Sequence, residues 1–148
     1  YYILELAKRM PDIRFVIAGS AKDGISVPQN LTLLGKITDK EKLARLYSMA
    51  DLTVLTSKKE TFSMIVAESL CCGTPIVGFK AGAPEGIALQ DFSSFSEHGD
   101  LDSLERNVRL FLEKKWVGLA ERAAGVYSRE IMVDNYKKLY ISLTNESD

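Results

Sequence analysis

Two glutamates, Glu60 and Glu68, stand with seven residues between them in the stretch Glu60-Thr-Phe-Ser-Met-Ile-Val-Ala-Glu68. The second lies among Met64, Ile65, Val66, Ala67, Leu70 and Cys71, so its helix is apolar nearly all round and is expected to be buried. A glutamate inside such a helix is costly unless it has partners. One chemistry satisfies it well: accepting hydrogen bonds from two hydroxyls, as a ribose offers. The helix start adds a second feature. Its first backbone N–H groups, around Ser63, Met64 and Ile65, have no partner within the helix. With the helix dipole they favour an anion such as a phosphate. A ribose and a diphosphate held side by side describe a nucleotide-sugar. Glu60, on the loop before this helix, is placed to reach the sugar beyond the phosphates.

The ordinary readings stand beside this one. The chain has eleven glutamates, so a pair at this spacing arises readily by chance. Glu60 alone reads as a solvated loop acid beside Lys58 and Lys59. Glu68 alone reads as an acid paired with a cation, or one on an exposed edge of its helix. On spacing alone the structural reading is favoured. The ordered context shifts the balance: strand, polar loop, Glu60, apolar helix, Glu68, Gly73-Thr-Pro75, strand.

The elements that must position these residues are legible. Ile3, Leu6, Ala7 and Met10 recur at helical spacing over Tyr2–Met10, and Pro11 stops the helix. Ile13–Ala18 reads as a buried strand ending at Gly19-Ser20, and Leu31–Leu34 as a short second strand after a polar loop to Asn30. Thr38 and Glu41 predict a capping box for a helix whose core stripe is Leu43, Leu46, Tyr47 and Ala50. Leu52–Leu55 predicts a third strand. A helix over Ser63–Cys72 follows, stopped by Gly73. Ile76–Phe79 is a fourth strand. Gly82-Ala83-Pro84-Glu85 turns into a short helix with Pro84 in its first turn, and a weak strand is expected at Phe92–Ser96. Helices are predicted over Asp100–Leu112, Val117–Tyr127 and Ile131–Leu143. Short apolar strands alternating with helices mean an α/β fold: a Rossmann-like, doubly wound parallel sheet with helices on both faces. Ligands of such sheets bind at the carboxyl ends of the strands. That singles out the loops Gly19–Asn30, Gly35–Thr38, Thr56–Ser63 and Lys80–Glu85.

Bulk properties narrow the classes. A length of 148 residues suits one domain with a real core. Apolar residues at 46% and charged residues at 26% argue against disorder. A net charge of −1, with basic residues scattered, gives no electrostatic footprint for nucleic acid. Cys71 and Cys72 are adjacent, which suits neither a stapling disulfide nor a zinc motif. They read as packing residues in a reducing, cytoplasmic setting. No apolar run reaches bilayer length, and no signal peptide is visible. The opening Tyr1, directly inside a helical pattern, suggests a fragment whose natural start lies upstream.

Three stretches resemble the C-terminal, donor-binding domain of family 4 glycosyltransferases of the GT-B architecture: Ala50-Asp-Leu-Thr-Val-Leu-Thr-Ser57, Glu60 to Glu68, and Gly73-Thr-Pro-Ile-Val77. Ile17-Ala18-Gly19, Leu33-Leu34-Gly35-Lys36-Ile37 and the ending from Tyr127-Ser128-Arg129 through Tyr136 to Leu139-Tyr140 extend the likeness over nearly the whole chain. The resemblance implies a retaining enzyme that moves a sugar from a UDP- or GDP-sugar to an acceptor hydroxyl, with no cofactor or metal. It casts Glu60 as the catalytic-centre acid that contacts the donor sugar, without making it a covalent nucleophile. Glu68 would bind the ribose. Phe62 and the backbone at Ser63, Met64 and Ile65 would hold the distal phosphate region. Lys36, Ile37, Asp39 and Lys42 would serve the base, mainly through the main chain of Ile37. The ordinary reading of Asp39 is a first-turn acid, and of Lys42 an exposed helix face. A glycan or lipid-linked acceptor would reach the site through an N-terminal domain absent from residues 1–148. That domain, with the basic residues that clamp the diphosphate and the first strand of this domain, would precede Tyr1. Peripheral membrane contact of the full enzyme is compatible with this scheme. Where many relatives carry glycines around the Phe, this chain has Thr61 and Ser63.

Other residues carry less. Glu85 suits a helix first turn, His98 a solvated loop, and Trp116 a helix junction. Two rival functions remain at this stage. One is another nucleotide-sugar enzyme of the same architecture, epimerase- or phosphorylase-like. The other is a non-catalytic α/β binding module.

Overall fold

The computed structural model describes residues 1–19 and 24–145. Its helices are α1 (Tyr2–Arg9), α2 (Lys40–Met49), α3 (Met64–Cys71), α4 (Pro84–Ile87), α5 (Leu101–Leu112), α6 (Leu119–Tyr127) and α7 (Arg129–Asn145). Its strands are β1 (Phe15–Ala18), β2 (Leu31–Gly35), β3 (Thr53–Leu55), β4 (Ile76–Phe79) and β5 (Ser93–Ser96). Each expected strand and helix is present, with ends within two residues of their predicted places. Part of the expected loop Gly19–Asn30, residues 20–23, lies outside the described residues.

All strand pairs are parallel, as expected, but they form two hydrogen-bonded parts rather than one sheet. β1 pairs with β2, and β4 lies between β3 and β5. β1 and β3 are each paired on one side only. The expected covering of both faces is clearest at β4, where all four residues are buried. Val77 and Phe79 point into a core shared with Leu6, Ala7 and Met10 of α1 and Leu104, Val108 and Phe111 of α5. Ile76 points the other way, into a core with Val66 and Leu70 of α3 and Ala123 of α6. Alternation along one strand thus serves two helical layers. Gly78, opposite Leu55 in the ladder, has no room for a side chain: a Cβ there would stand 2.4 Å from Leu55 O.

Two expectations at helix starts are corrected. α2 is capped by Asp39, not Thr38: Asp39 Oδ1 accepts from the amides of Glu41 (2.9 Å) and Lys42 (3.1 Å). The helix therefore begins one residue later. Glu41 sits too early to close a capping box and instead pairs with Arg45. The cysteines are corrected as well. Cys71 is exposed and Cys72 half-buried, because α3 turns its Leu70 and Val66 side to the core. Trp116 sits at a helix junction as expected, against Phe92 and Phe111, with Nε1 donating to Phe111 O. His98 is exposed, as expected of a loop histidine, and its ring also rests on Tyr2 and Phe79.

Candidate functional site

Parallel strands bring their carboxyl ends to one edge, and the two loops that leave β3 and β4 meet there. Glu60 N donates to Ala81 O at 2.9 Å. The turn that offers this carbonyl is fixed in its own right. The amides of Ala81 and Gly82 donate to the two oxygens of Glu85, each at 3.0 Å. Desolvation works to raise the Glu85 pKa. The backbone amides and the nearby Lys80 charge outweigh it and hold this carboxylate below its usual range. Glu85 is thus more than a first-turn acid: it shapes the loop on which the Glu60 backbone rests. The Glu60 side chain is half-buried, and its carboxylate has no partner among the described residues.

The start of α3 is unusual. Ser63 has φ 70° and ψ 81°, and among the described residues it alone combines a side chain with positive φ. It is 6% exposed, and its Oγ is buried with no hydrogen-bond partner among the described residues. The hydroxyl does not cap the helix. The first paired amide is that of Val66, which donates to Ser63 O. The amides of Met64 and Ile65 have no partner among the described residues. Buried polar groups and strained residues of this kind concentrate at binding sites.

The expectation that α3 is buried all round is corrected. Its core side is Val66, Ala67, Ser69 and Leu70, while Met64, Ile65 and the preceding Phe62 are exposed. The helix packs against the sheet, α6 and α2, while Met64 and Ile65 of its first turn are exposed. Glu68 follows Met64 by four residues and Ile65 by three, so it lies on their side of the helix, where α2 meets it. It stands about 6 Å along the axis from the helix start, and it is half-buried. Its satisfaction comes from a partner rather than from exclusion of water: Tyr47 Oη of α2 donates to Glu68 Oε2 at 3.3 Å. Burial first, and then the Glu68 charge and hydrogen bond, push the Tyr47 pKa upward, so the phenol stays a donor.

Lys36, Ile37 and Asp39 lie where expected, on the loop leaving β2, with Lys42 on the first turn of α2. Ile37 is half-buried; Lys36, Asp39 and Lys42 are exposed. Asp39 commits Oδ1 to its helix cap. No described hydrogen bond or ion pair joins these four residues to Glu60 or Glu68. The structural link runs through α2, whose Tyr47 touches α3. The sequence reading took Tyr47 as a core residue and passed over Thr74. Thr74 is buried, and its Oγ1 donates to Tyr47 O at 2.5 Å. The available signal was a polar-tipped aromatic in the stripe of one helix and a lone acid on the next. Two shallow surface hollows lie elsewhere, one along α7 and one around Trp116, and neither contains these residues. Among the described residues no group of three or more His, Cys, Asp or Glu is arranged to hold a metal ion.

Residues 2–130 match the family described as glycosyl transferases group 1. The chain is 32% identical over 102 residues to a D-inositol 3-phosphate glycosyltransferase of Mycobacterium sp. (strain KMS), covering 60% of this chain and 23% of that protein. Sucrose-phosphate synthase from Thermosynechococcus elongatus superimposes with a TM-score of 0.78 at 19% identity, over 99% of this chain and 42% of that one. Anabaena HepE in complex with UDP gives 0.74 at 19% identity, over 97% and 44%. The chain therefore spans less than half the length of each of these proteins. The two structural matches establish that it shares their fold.

Proposed function

This chain belongs to the glycosyl transferases group 1 family, and from that premise we propose that the open start of α3, with Glu68, holds a nucleoside diphosphate sugar for transfer to an acceptor hydroxyl. The observation that carries the reading is their juxtaposition on one side of α3. Unpaired amides at Met64 and Ile65 suit a phosphate, and a carboxylate one turn away suits a ribose. The UDP held by the similar HepE structure makes uridine the first nucleotide to try, with guanosine next. Phe62 and Ser63 flank the phosphates. The loop from Lys36 through Ile37 to Asp39, with Lys42, lies beyond the ribose for the base. Glu60, with its carboxylate free and its backbone tied to Ala81, contacts the donor sugar.

Transfer then consists of breaking the bond between the anomeric carbon and the diphosphate while the acceptor oxygen attacks from the same face, retaining configuration. The leaving diphosphate oxygen takes up the acceptor proton. The protein's task is to stabilise the charge that grows on that diphosphate, which is electrostatic positioning. The α3 start contributes part of it. The rest falls to basic residues on a preceding segment. The same segment supplies a strand between β1 and β3, each of which has an open edge. A further domain then presents a glycan or lipid-linked acceptor.

Isothermal calorimetry of UDP, GDP and ADP tests the donor site. One of the first two should bind the full chain. Glu68→Ala should weaken that ligand by about 10- to 100-fold, the value of one charge-assisted hydrogen bond. Equal binding by Glu68→Ala, or no nucleotide binding at all, would leave a non-catalytic α/β module as the better description.

A further inference from the structure

We propose that Tyr47 is a positioning residue for Glu68: its phenol engages Oε2 and leaves Oε1 turned to the ribose hydroxyls. This rests on the donor reading above and extends it to a residue outside the Glu60–Glu68 stretch. The geometry is fixed from both ends of Tyr47. Its backbone carbonyl accepts from Thr74 Oγ1 at 2.5 Å, and its phenol donates to Glu68 Oε2 at 3.3 Å. Thr74 is in turn held in place. It is 2% exposed, its carbonyl accepts from Ser69 Oγ, and its amide bonds to Ser69 O. The chain of contacts therefore starts in the turn before β4 and ends on the Glu68 carboxylate. A free glutamate at a half-exposed helix position samples several rotamers. A single donor on one oxygen removes most of that freedom. At 3.3 Å the bond is longer than the usual 2.7–2.8 Å of an O–H···O contact, so its effect lies in orienting the carboxylate more than in stability. The phenol stays protonated and so remains a donor to Glu68.

The test uses the full chain, calorimetry, and two ligands: UDP or GDP, whichever the wild type binds, and its 2′,3′-dideoxy form. Tyr47→Phe should weaken the ribonucleotide about fivefold, the scale of one net hydrogen bond, and leave the dideoxy form unchanged. In the Glu68→Ala background, Tyr47→Phe should have no further effect. Equal weakening of both ligands would make Tyr47 merely structural and overturn the proposal, as would no change in either. Loss of ribonucleotide discrimination is required from Glu68→Ala itself. If that variant binds as the wild type does, the donor reading fails, whatever Tyr47 shows. Should Tyr47→Phe not fold, Thr74→Val decides. A loss confined to the ribonucleotide supports the chain of contacts, and any other outcome overturns it.

Discussion

Replacing Ser63 by glycine should make this protein more stable, although glycine normally does the reverse. At φ 70° a side chain meets the carbonyl that follows it, at roughly 1–2 kcal/mol. Glycine adopts this conformation without that penalty. The substitution also removes a buried hydroxyl that has no partner, a defect of about 1–3 kcal/mol. Two effects oppose it. The unfolded chain gains freedom worth about 0.4–1 kcal/mol, and burial of one carbon is lost, about 0.8 kcal/mol. The balance is a gain of about 1–2 kcal/mol, or a few degrees in Tm for a domain of this size. Ser63→Ala keeps the strain and loses only the hydroxyl, a gain of about 1–3 kcal/mol, so it should match the glycine variant within about 1 kcal/mol. Urea denaturation of the three proteins should place both variants above the wild type. A glycine variant less stable than the wild type would show that Ser63 is not strained, or that its hydroxyl has a partner, and the argument would be refuted. If the hydroxyl serves the donor phosphate, the more stable glycine variant should bind nucleotide less tightly. That pairing of stability against binding is the mark of a site residue rather than a neutral defect.

Two further outcomes follow from the supports of the site. Gly78→Ala drives a Cβ to 2.4 Å from Leu55 O. It should lower stability by about 1–3 kcal/mol in urea melts, and the adjoining β3–α3 loop should lose protection in hydrogen exchange. Glu85 has a folded pKa below its usual value. Its contribution is therefore complete at neutral pH and is lost as the pH falls through the carboxylate range and below. Stability of wild type and Glu85→Gln, measured from pH 7 down to pH 3, should converge toward the acid end; a constant difference across that range would contradict the Glu85 assignment.

Much of the fold was legible because its signals are local. The apolar runs Phe15–Ala18 and Ile76–Phe79, the stop at Gly73 and the Pro84 turn are each set by a few neighbouring residues. The site was legible for the same reason in one respect: Glu60 and Glu68 bracket a helix start, and the amides of that start follow from helix geometry. What was not legible depended on tertiary choice. Thr38 and Asp39 are both good caps, and only the path of the chain leaving β2 selects Asp39. α3 is apolar on every side, so its sequence cannot say which side is covered. The sheet and α6 take Val66 and Leu70 and leave Met64 and Ile65 open. Tyr47 and Glu68 are 21 residues apart on different helices, and no pattern within either helix pairs them.

The two acids are both half-exposed, and neither is rigid by its own burial. Their precision has a common source in β4, the strand buried along its whole length. At its start, Thr74 holds the backbone of Tyr47, and Tyr47 holds Glu68. At its end, Ala81 holds the backbone of Glu60, on a turn locked by Glu85. One well-packed strand is thus linked by separate chains of hydrogen bonds to the Glu60 backbone and to the Glu68 carboxylate, as a site built on a rigid element requires. The two chains share β4 but no side chain beyond it. Weakening one support should therefore disturb its own acid and spare the other: loss of the Tyr47 phenol should act at the ribose, and loss of the Glu85 carboxylate at the sugar.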